Sequence, residues 1–69
     1  MNTLNFGKNL RELRLELNMS QAKFAQILNV SQSQISNLEC GKTEPTINIA
    51  FAIVQKFDIS WEELLDGIE

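Results

Sequence analysis

"SQAKFAQILNVSQSQISNLECGKTEP", residues 20–45, contains two short helical patterns with almost nothing between them. Only Asn29 and Val30 separate the patterns, so two helices formed here must cross steeply. The small side chain of Ala25 allows a close crossing, and asparagine at position 29 tolerates the positive φ that a tight turn requires. The apolar residues that recur at helical spacing are Phe24, Ala25, Leu28, Ile35 and Leu38. The pattern predicts a helix-turn-helix arrangement.

Three segments share one helix-start signal. In each, an apolar residue precedes a serine and another apolar residue follows four positions later, which is the hydrophobic staple. The serines are Ser20, Ser31 and Ser60, and Gln34 and Glu63 add the second half of a capping box to the last two. With the apolar stripes, these signals predict one all-α domain over residues 1–69, with helices over about 6–17, 20–28, 31–40, 46–57 and 60–66.

The composition excludes several classes of protein. The 69 residues contain no histidine and a single cysteine, so the commonest general base and any internal disulfide or multi-thiolate metal site are absent. No apolar run approaches the roughly 20 residues that span a bilayer, and no signal peptide opens the chain. No nucleophile, base and orienting group can be assembled. We expect a cytoplasmic protein without metal, cofactor or evident small-molecule ligand that is not an enzyme.

Charge is distributed unevenly along the chain. Residues 1–42 carry five basic and three acidic side chains, whereas residues 43–69 carry one basic and six acidic side chains. The net charge of −3 argues mildly against nucleic acid, but the split is compatible with two faces that meet different partners. The alternative is chance solvation of a small acidic protein, and the sequence leaves both interpretations open.

The segment 32–38 has an unusual polar face. On a helical wheel, Ser33 and Asn37 point away from the buried side, with Gln32 and Ser36 beside them. No side chain between residues 32 and 38 is charged, so this face offers neutral groups that both donate and accept hydrogen bonds. Such groups suit base edges, and amides can pair with adenine N6 and N7, which suggests some A·T preference. The alternative is an ordinary solvent-facing surface.

From about residue 6 to residue 66 the chain resembles the phage-repressor and Cro-type helix-turn-helix domains, which are lambda-repressor-like. The residues that carry the resemblance are Arg14, Gln21, Ala25, Val30, Ile35, Leu38, Glu39, Gly41 and Pro45. Asn29 departs from the pattern, because glycine is usual there. The resemblance implies a compact five-helix fold, double-stranded DNA as partner and a homodimer. It also implies base contacts by Gln32, Ser33, Ser36 and Asn37, and phosphate contacts by Gln21, Ser31, Cys40, Lys42 and Thr43.

Two further predictions concern particular side chains. Arg14 and Glu39 resemble the family's partly buried ion pair, although they could be unrelated surface charges. The predicted core stripe of the fourth helix is Ile47, Ala50, Ile53, Val54 and Phe57, and that of the first helix is Phe6, Leu10, Leu13 and Leu17. Apolar residues beyond the needs of one core predict a dimer interface, formed by Ile49, Phe51, Trp61 and Ile68.

These observations predict a sequence-specific regulator of transcription that binds a near-palindromic operator as a homodimer. The third helix would lie in the major groove. Within the family resemblance we favour a repressor, because activators of that family can present an acidic residue on the second helix, whereas this second helix carries Lys23 and no acid. The alternative is a protein-interaction module of the same fold, an antitoxin or an anti-repressor partner, that uses its acidic C-terminal half.

Overall fold

The computed structural model describes the backbone of residues 3–66 and the side chains of residues 5–66, and this part of the chain is all-α. Within these residues, none of the helices combines the length and the hydropathy that a membrane span requires. The elements are α1 (Thr3–Glu16), α2 (Gln21–Leu28), α3 (Gln32–Glu39), α4 (Ile47–Phe57) and α5 (Trp61–Leu64). The predicted fold class, an all-α arrangement of five helices, is therefore confirmed.

The predicted helix limits were wrong at both ends of the chain. The first helix begins at Thr3 and not near Phe6, because the three residues before Phe6 add less than one turn and none of them lies on the apolar stripe from Phe6 to Leu17. The fifth helix ends at Leu64, since Leu65 already leaves helical geometry with φ −100 and ψ 14. At α2, α3 and α4 the start differs by one residue only, because Ser20, Ser31 and Thr46 are N-caps and not helical residues.

Side-chain caps close the helix starts. The hydroxyl of Ser31 accepts a hydrogen bond from the Gln34 backbone N–H at 3.1 Å, and the Gln34 side-chain oxygen accepts one from the Ser31 N–H at 2.9 Å. This reciprocal capping box fixes where α3 begins. Ser20 and Ser60 accept from backbone N–H groups in the same way, at 3.1 and 3.0 Å. Each such cap stabilises its helix by about 1 kcal/mol.

One apolar core lies between the five helices. The rings of Phe24 and Phe57 stack with their centroids 4.8 Å apart. Two residues of the predicted core stripes do not join it: Leu17 is exposed because it follows the end of α1, and Ile47 is 78% exposed because it occupies the first position of α4 and faces a surface groove. The buried residues are Phe6, Leu10, Phe24, Ala25, Leu28, Ile35, Leu38, Ala50, Ile53 and Leu64.

Residues with positive φ, in the left-handed conformation, follow α1, α2 and α4. Asn29 (φ 59) adopts the conformation expected from the sequence, and Asn18 (φ 56) and Asp58 (φ 53) adopt it after α1 and α4. Asparagine and aspartate tolerate this region better than other residues with a Cβ. Gly41 (φ 75) follows α3 and turns the chain into the next loop. These positions keep the connections short and so fix the helices relative to one another.

Candidate nucleic-acid interface

Helices α2 and α3 form a tight helix-turn-helix unit. The Asn29 N–H donates to the Ala25 and Gln26 carbonyls, and the Val30 N–H donates to the Ala25 carbonyl at 3.0 Å. Ala25 is 2% exposed, as a small residue near a close crossing should be. On α3, Ile35 and Leu38 are buried against the core. The inner face of α3 is therefore anchored, and its opposite face is left to solvent.

The outward face of α3 carries the four residues predicted to contact bases. Gln32 and Ser33 are exposed, whereas Ser36 and Asn37 are half-buried. Asn37 is more covered than the helical wheel suggests, because the loop after α3 returns beside it: the Lys42 N–H donates to the Asn37 carbonyl at 2.9 Å. All four side chains are short and uncharged. They form a surface that can donate and accept hydrogen bonds along the length of the helix.

Arg14 and Glu39 join the first helix to the end of the third. Arg14 Nε donates to Glu39 Oε2 at 2.7 Å, and Nη2 donates to Oε1 at 3.1 Å. Arg14 Nη1 also donates to the Met19 carbonyl at 2.9 Å. The two side chains are only 11% and 4% exposed. Such a paired, charge-assisted geometry offsets the cost of removing both charges from water.

Gln21 takes part in the same network. Its side-chain Nε2 donates to Glu39 Oε1 at 3.2 Å, across 18 residues of sequence. Gln21 was predicted to contact phosphate, and neither periodicity nor local spacing indicates its hydrogen bond to Glu39. The side-chain amide at the start of α2 is thus held by the carboxylate at the end of α3.

The other residues predicted to contact phosphate lie at the two ends of α3. Ser31 is its N-cap, and its hydroxyl accepts from the Gln34 N–H. Cys40 is the C-cap and carries an exposed free thiol. Lys42 and Thr43 follow Gly41 and are exposed. The hydrogen-bonding face of α3 is therefore flanked at one end by a serine and at the other by a loop with one cation.

Gly7 was not singled out from the sequence, yet it marks a close backbone approach between α1 and α3. It is buried, and a Cβ built on it would lie 2.3 Å from the Leu38 carbonyl oxygen and 2.7 Å from the Glu39 carbonyl oxygen. Two backbones meet here with no side chain between them. The available signal was an isolated glycine inside a helical pattern, which usually has a packing reason.

The residues predicted to form the dimer interface differ in how exposed they are. Ile49 is half-buried and packs against the core, so it contributes less to an open surface than the sequence predicted. Phe51 and Trp61 are 54% and 39% exposed, and Ile47, which was predicted to lie in the core, adds a further exposed apolar side chain. We call Ile47, Phe51 and Trp61 the α4–α5 apolar face. Ile68 lies outside the described residues.

Residues 5–66 bring together no group of acidic or cysteine side chains that could hold a metal ion. The cavities along this part of the chain are shallow surface grooves. One groove, of about 310 Å³, is lined by residues of the loop before α4, of α4 and of α5, including Ile47 and Trp61. Among the described residues, α3 presents a neutral polar face, and Ile47 and Trp61 of the α4–α5 apolar face line this groove.

Comparison with known proteins agrees with this geometry. A family model described as helix-turn-helix matches residues 10–64. The chain is 35% identical over 66 residues to the HTH-type transcriptional activator BcrR of Enterococcus faecalis, covering 96% of this chain and 32% of that protein. It is 30% identical over 59 residues to the antitoxin PezA of Streptococcus pneumoniae, covering 86% of this chain and 37% of that protein.

A third relative is the HTH-type transcriptional regulator DdrOP3 of Deinococcus deserti, 32% identical over 60 residues, which cover 87% of this chain and 46% of that protein. The chain thus spans about a third to a half of the length of these relatives. The crystal structure of the restriction-modification controller protein C.AhdI from Aeromonas hydrophila superposes with a TM-score of 0.82 at 27% identity, covering 90% of this chain and 94% of that chain. The chain belongs to the Cro-type helix-turn-helix family of DNA-binding, transcription-regulating domains.

Proposed function

We propose that this chain binds double-stranded DNA sequence-specifically as a homodimer and represses transcription by occupying a near-palindromic operator. The observation that carries the proposal is the neutral outward face of α3, on a helix whose other face is buried. Side chains of Lys or Glu would solvate such a face well, but they would attract or repel phosphates whatever the sequence. Amides and hydroxyls contribute little to that nonspecific term, so base edges can decide which site is bound.

Each of the four residues on the outward face of α3 has a proposed role. The amides of Gln32 and Asn37 are suited to paired hydrogen bonds with adenine N6 and N7 in the major groove. The hydroxyls of Ser33 and Ser36 can either donate or accept, so they add affinity and discriminate weakly between bases. The operator should therefore prefer A·T at one or two positions of each half-site.

The flanking residues are proposed to hold the phosphates on either side of the groove. Lys42 supplies the cation, and Thr43, Cys40 and Ser31 supply neutral groups near the ends of α3. Gln21 is already oriented by Glu39, and such a fixed amide would meet a phosphate at a smaller entropic cost. Few cations lie near this surface, so binding should depend on shape and base contacts more than on net charge.

The α4–α5 apolar face supports a homodimer. A contiguous exposed apolar patch on a small domain tends to mark an interface, and here it lies on α4 and α5, which are not part of the helix-turn-helix unit. Ile68 would extend the same interface. A two-fold dimer whose recognition helices sit about 34 Å apart reads two half-sites one turn apart, which predicts a palindrome.

Repression is favoured over activation by the composition of α2, which carries Lys23 and no acidic residue. The second candidate is a protein-interaction module of the same fold, and two observations support it. Residues 43–69 have six acidic residues and one basic residue, and one relative is an antitoxin. In that case the acidic half would bind a protein partner, and α3 would have no base-reading role.

One experiment separates the two candidates. The chain is incubated with a random duplex pool, the bound sequences are selected, and the affinity for the selected site is titrated against salt. A DNA reader enriches a palindromic site and weakens steeply as salt rises. An interaction module enriches no sequence and shows no salt-dependent binding to duplex. That second outcome would overturn the proposed function.

A further inference from the structure

We infer that Gly7 is a positioning residue for base recognition, because the missing side chain lets α1 set the pose of the C-terminal turn of α3. The inference rests on the proposed function and deepens it. Gly7 lies in the second turn of α1, on a different helix from every residue proposed to contact DNA. It would therefore act through the backbone of α3 and not by touching the nucleic acid.

The contact is between backbones. A Cβ at position 7 would lie 2.3 Å from the Leu38 carbonyl oxygen and 2.7 Å from that of Glu39, both far inside ordinary contact distance. Neither oxygen belongs to a flexible side chain that could move aside. Any residue other than glycine must therefore displace the last turn of α3 or the first turns of α1.

The displaced atoms also guide the chain out of α3. The Leu38 carbonyl accepts a hydrogen bond from the Gly41 N–H at 3.2 Å, and this bond is part of the turn that leads to Lys42 and Thr43. Glu39, the other residue in contact, holds Arg14 and Gln21 through its carboxylate. A shift at this point would change the direction of α3 and the location of the loop proposed to meet phosphate.

The direction in which Gly7→Ala shifts the melting temperature distinguishes a close backbone contact from an ordinary helix position. Alanine favours a helix more than glycine does, so Gly→Ala at an open helical position raises the melting temperature. At Gly7 the close approach reverses that expectation, and Gly7→Ala should lower it. A fall in melting temperature alone would show only tight packing. The positioning role requires that base discrimination falls as well.

The test compares the wild type, Gly7→Ala and Leu15→Ala, an uncharged substitution at an exposed position of the same helix. For each, the affinity for the site selected by the wild type is divided by the affinity for a scrambled duplex, at a temperature where circular dichroism shows the protein folded. Gly7→Ala should lower this ratio at least about tenfold, comparable to the loss of one paired base contact. Leu15→Ala should stay within about twofold of the wild type.

If Gly7→Ala is unfolded in buffer, trimethylamine N-oxide is added to all three proteins to restore the folded state before the ratio is measured. Amide chemical shifts of Gly41 and Lys42 provide a second readout that needs no DNA, and they should move in Gly7→Ala and not in Leu15→Ala. An unchanged ratio in folded Gly7→Ala overturns the inference alone. A wild type that selects no site overturns the proposed function, and the inference with it.

Discussion

Arg14 and Glu39 are 25 residues apart in sequence, yet they meet through two hydrogen bonds of 2.7 and 3.1 Å in a nearly buried position. The guanidinium belongs to the first helix and the carboxylate to the last residue of the third. Because the pair sits where α3 ends, it fixes the helix at the point where the chain turns toward Lys42. The pair thus links the stability of the fold to the orientation of the proposed recognition surface.

The first prediction concerns the loss of one partner of this pair. Glu39→Ala leaves the Arg14 guanidinium with its hydrogen bond to the Met19 carbonyl but without a negative charge beside it, in a site where its side chain is 11% exposed. The expected destabilisation is about 3–5 kcal/mol. For a chain of this size, that is comparable to the whole free energy of unfolding, so urea titrations should be run in a stabilising osmolyte.

Three comparisons make the measurement specific. Glu12→Ala, at an exposed acid on α1, should change the urea midpoint little. Arg14→Ala and the double mutant complete a cycle, and the double mutant should lose less than the two single changes added together, because no charge is left without its partner. Additivity within about 0.5 kcal/mol would show that the two groups contribute independently.

Local signals in the sequence were sufficient for much of this fold. Ser20, Ser31 and Ser60 each cap a helix as predicted, since capping depends on residues only three or four positions apart. The start of α1 was missed because Leu4 lies off the apolar stripe that runs from Phe6 to Leu17. Ile47 was assigned to the core by its spacing, but its exposure depends on where α5 and the preceding loop lie, which periodicity does not contain.

Only part of the candidate site could be predicted from the sequence. The polar face of α3 follows from spacing, because Ile35 and Leu38 determine which side is buried. The hydrogen bond from Gln21 to Glu39 and the approach of Gly7 to α3 join distant segments, and each depends on distances of a few ångströms between helices. Such contacts are set by packing, and the sequence indicates at most that a glycine inside a helix needs an explanation.

The second prediction concerns self-association. Phe51→Glu or Ile47→Glu places a charge in the α4–α5 apolar face, and the dimer dissociation constant should rise at least about tenfold, which corresponds to about 1.4 kcal/mol. Sedimentation velocity over a concentration series measures this shift. Leu15→Glu is the matched control, because Leu15 is 52% exposed on α1, outside that face. If Phe51→Glu and Ile47→Glu associate as strongly as the wild type and the Leu15→Glu control, the interface lies elsewhere.

A further variant, Ile68→Glu, tests whether the C-terminal residues take part in self-association.

The third prediction separates electrostatic affinity from sequence recognition. With about three or four phosphates neutralised per protomer, the dimer should show a slope of roughly −5 to −7 in log K against log salt. Lys42→Ala should weaken binding to every duplex alike and reduce the slope by about 2 for the dimer, or about 1 per protomer. Lys56→Ala removes an exposed cation on α4 and should leave the slope unchanged. A Lys42 variant with the wild-type slope would place the phosphate contacts elsewhere.

The fourth prediction tests the role of the polar face of α3 directly. Asn37→Ala removes an amide proposed to meet a base edge, and the cost for the selected operator should be about 1–3 kcal/mol. The loss should be confined to one base pair per half-site, where all four bases become nearly equivalent, because a phosphate contact carries no sequence information and a base contact does. Gln32→Ala should relax a different base pair.

The measurement is a titration of each variant against the operator and a set of its single-base substitutions. Gln55→Ala is the control, because it removes an exposed side-chain amide from α4 and not from α3. It should alter no base preference. Because Asn37 is half-buried beside the loop that follows α3, its side chain is partly held before DNA arrives, and its loss should be the more costly of the two. If neither Asn37→Ala nor Gln32→Ala changes a base preference, the polar face of α3 does not read DNA.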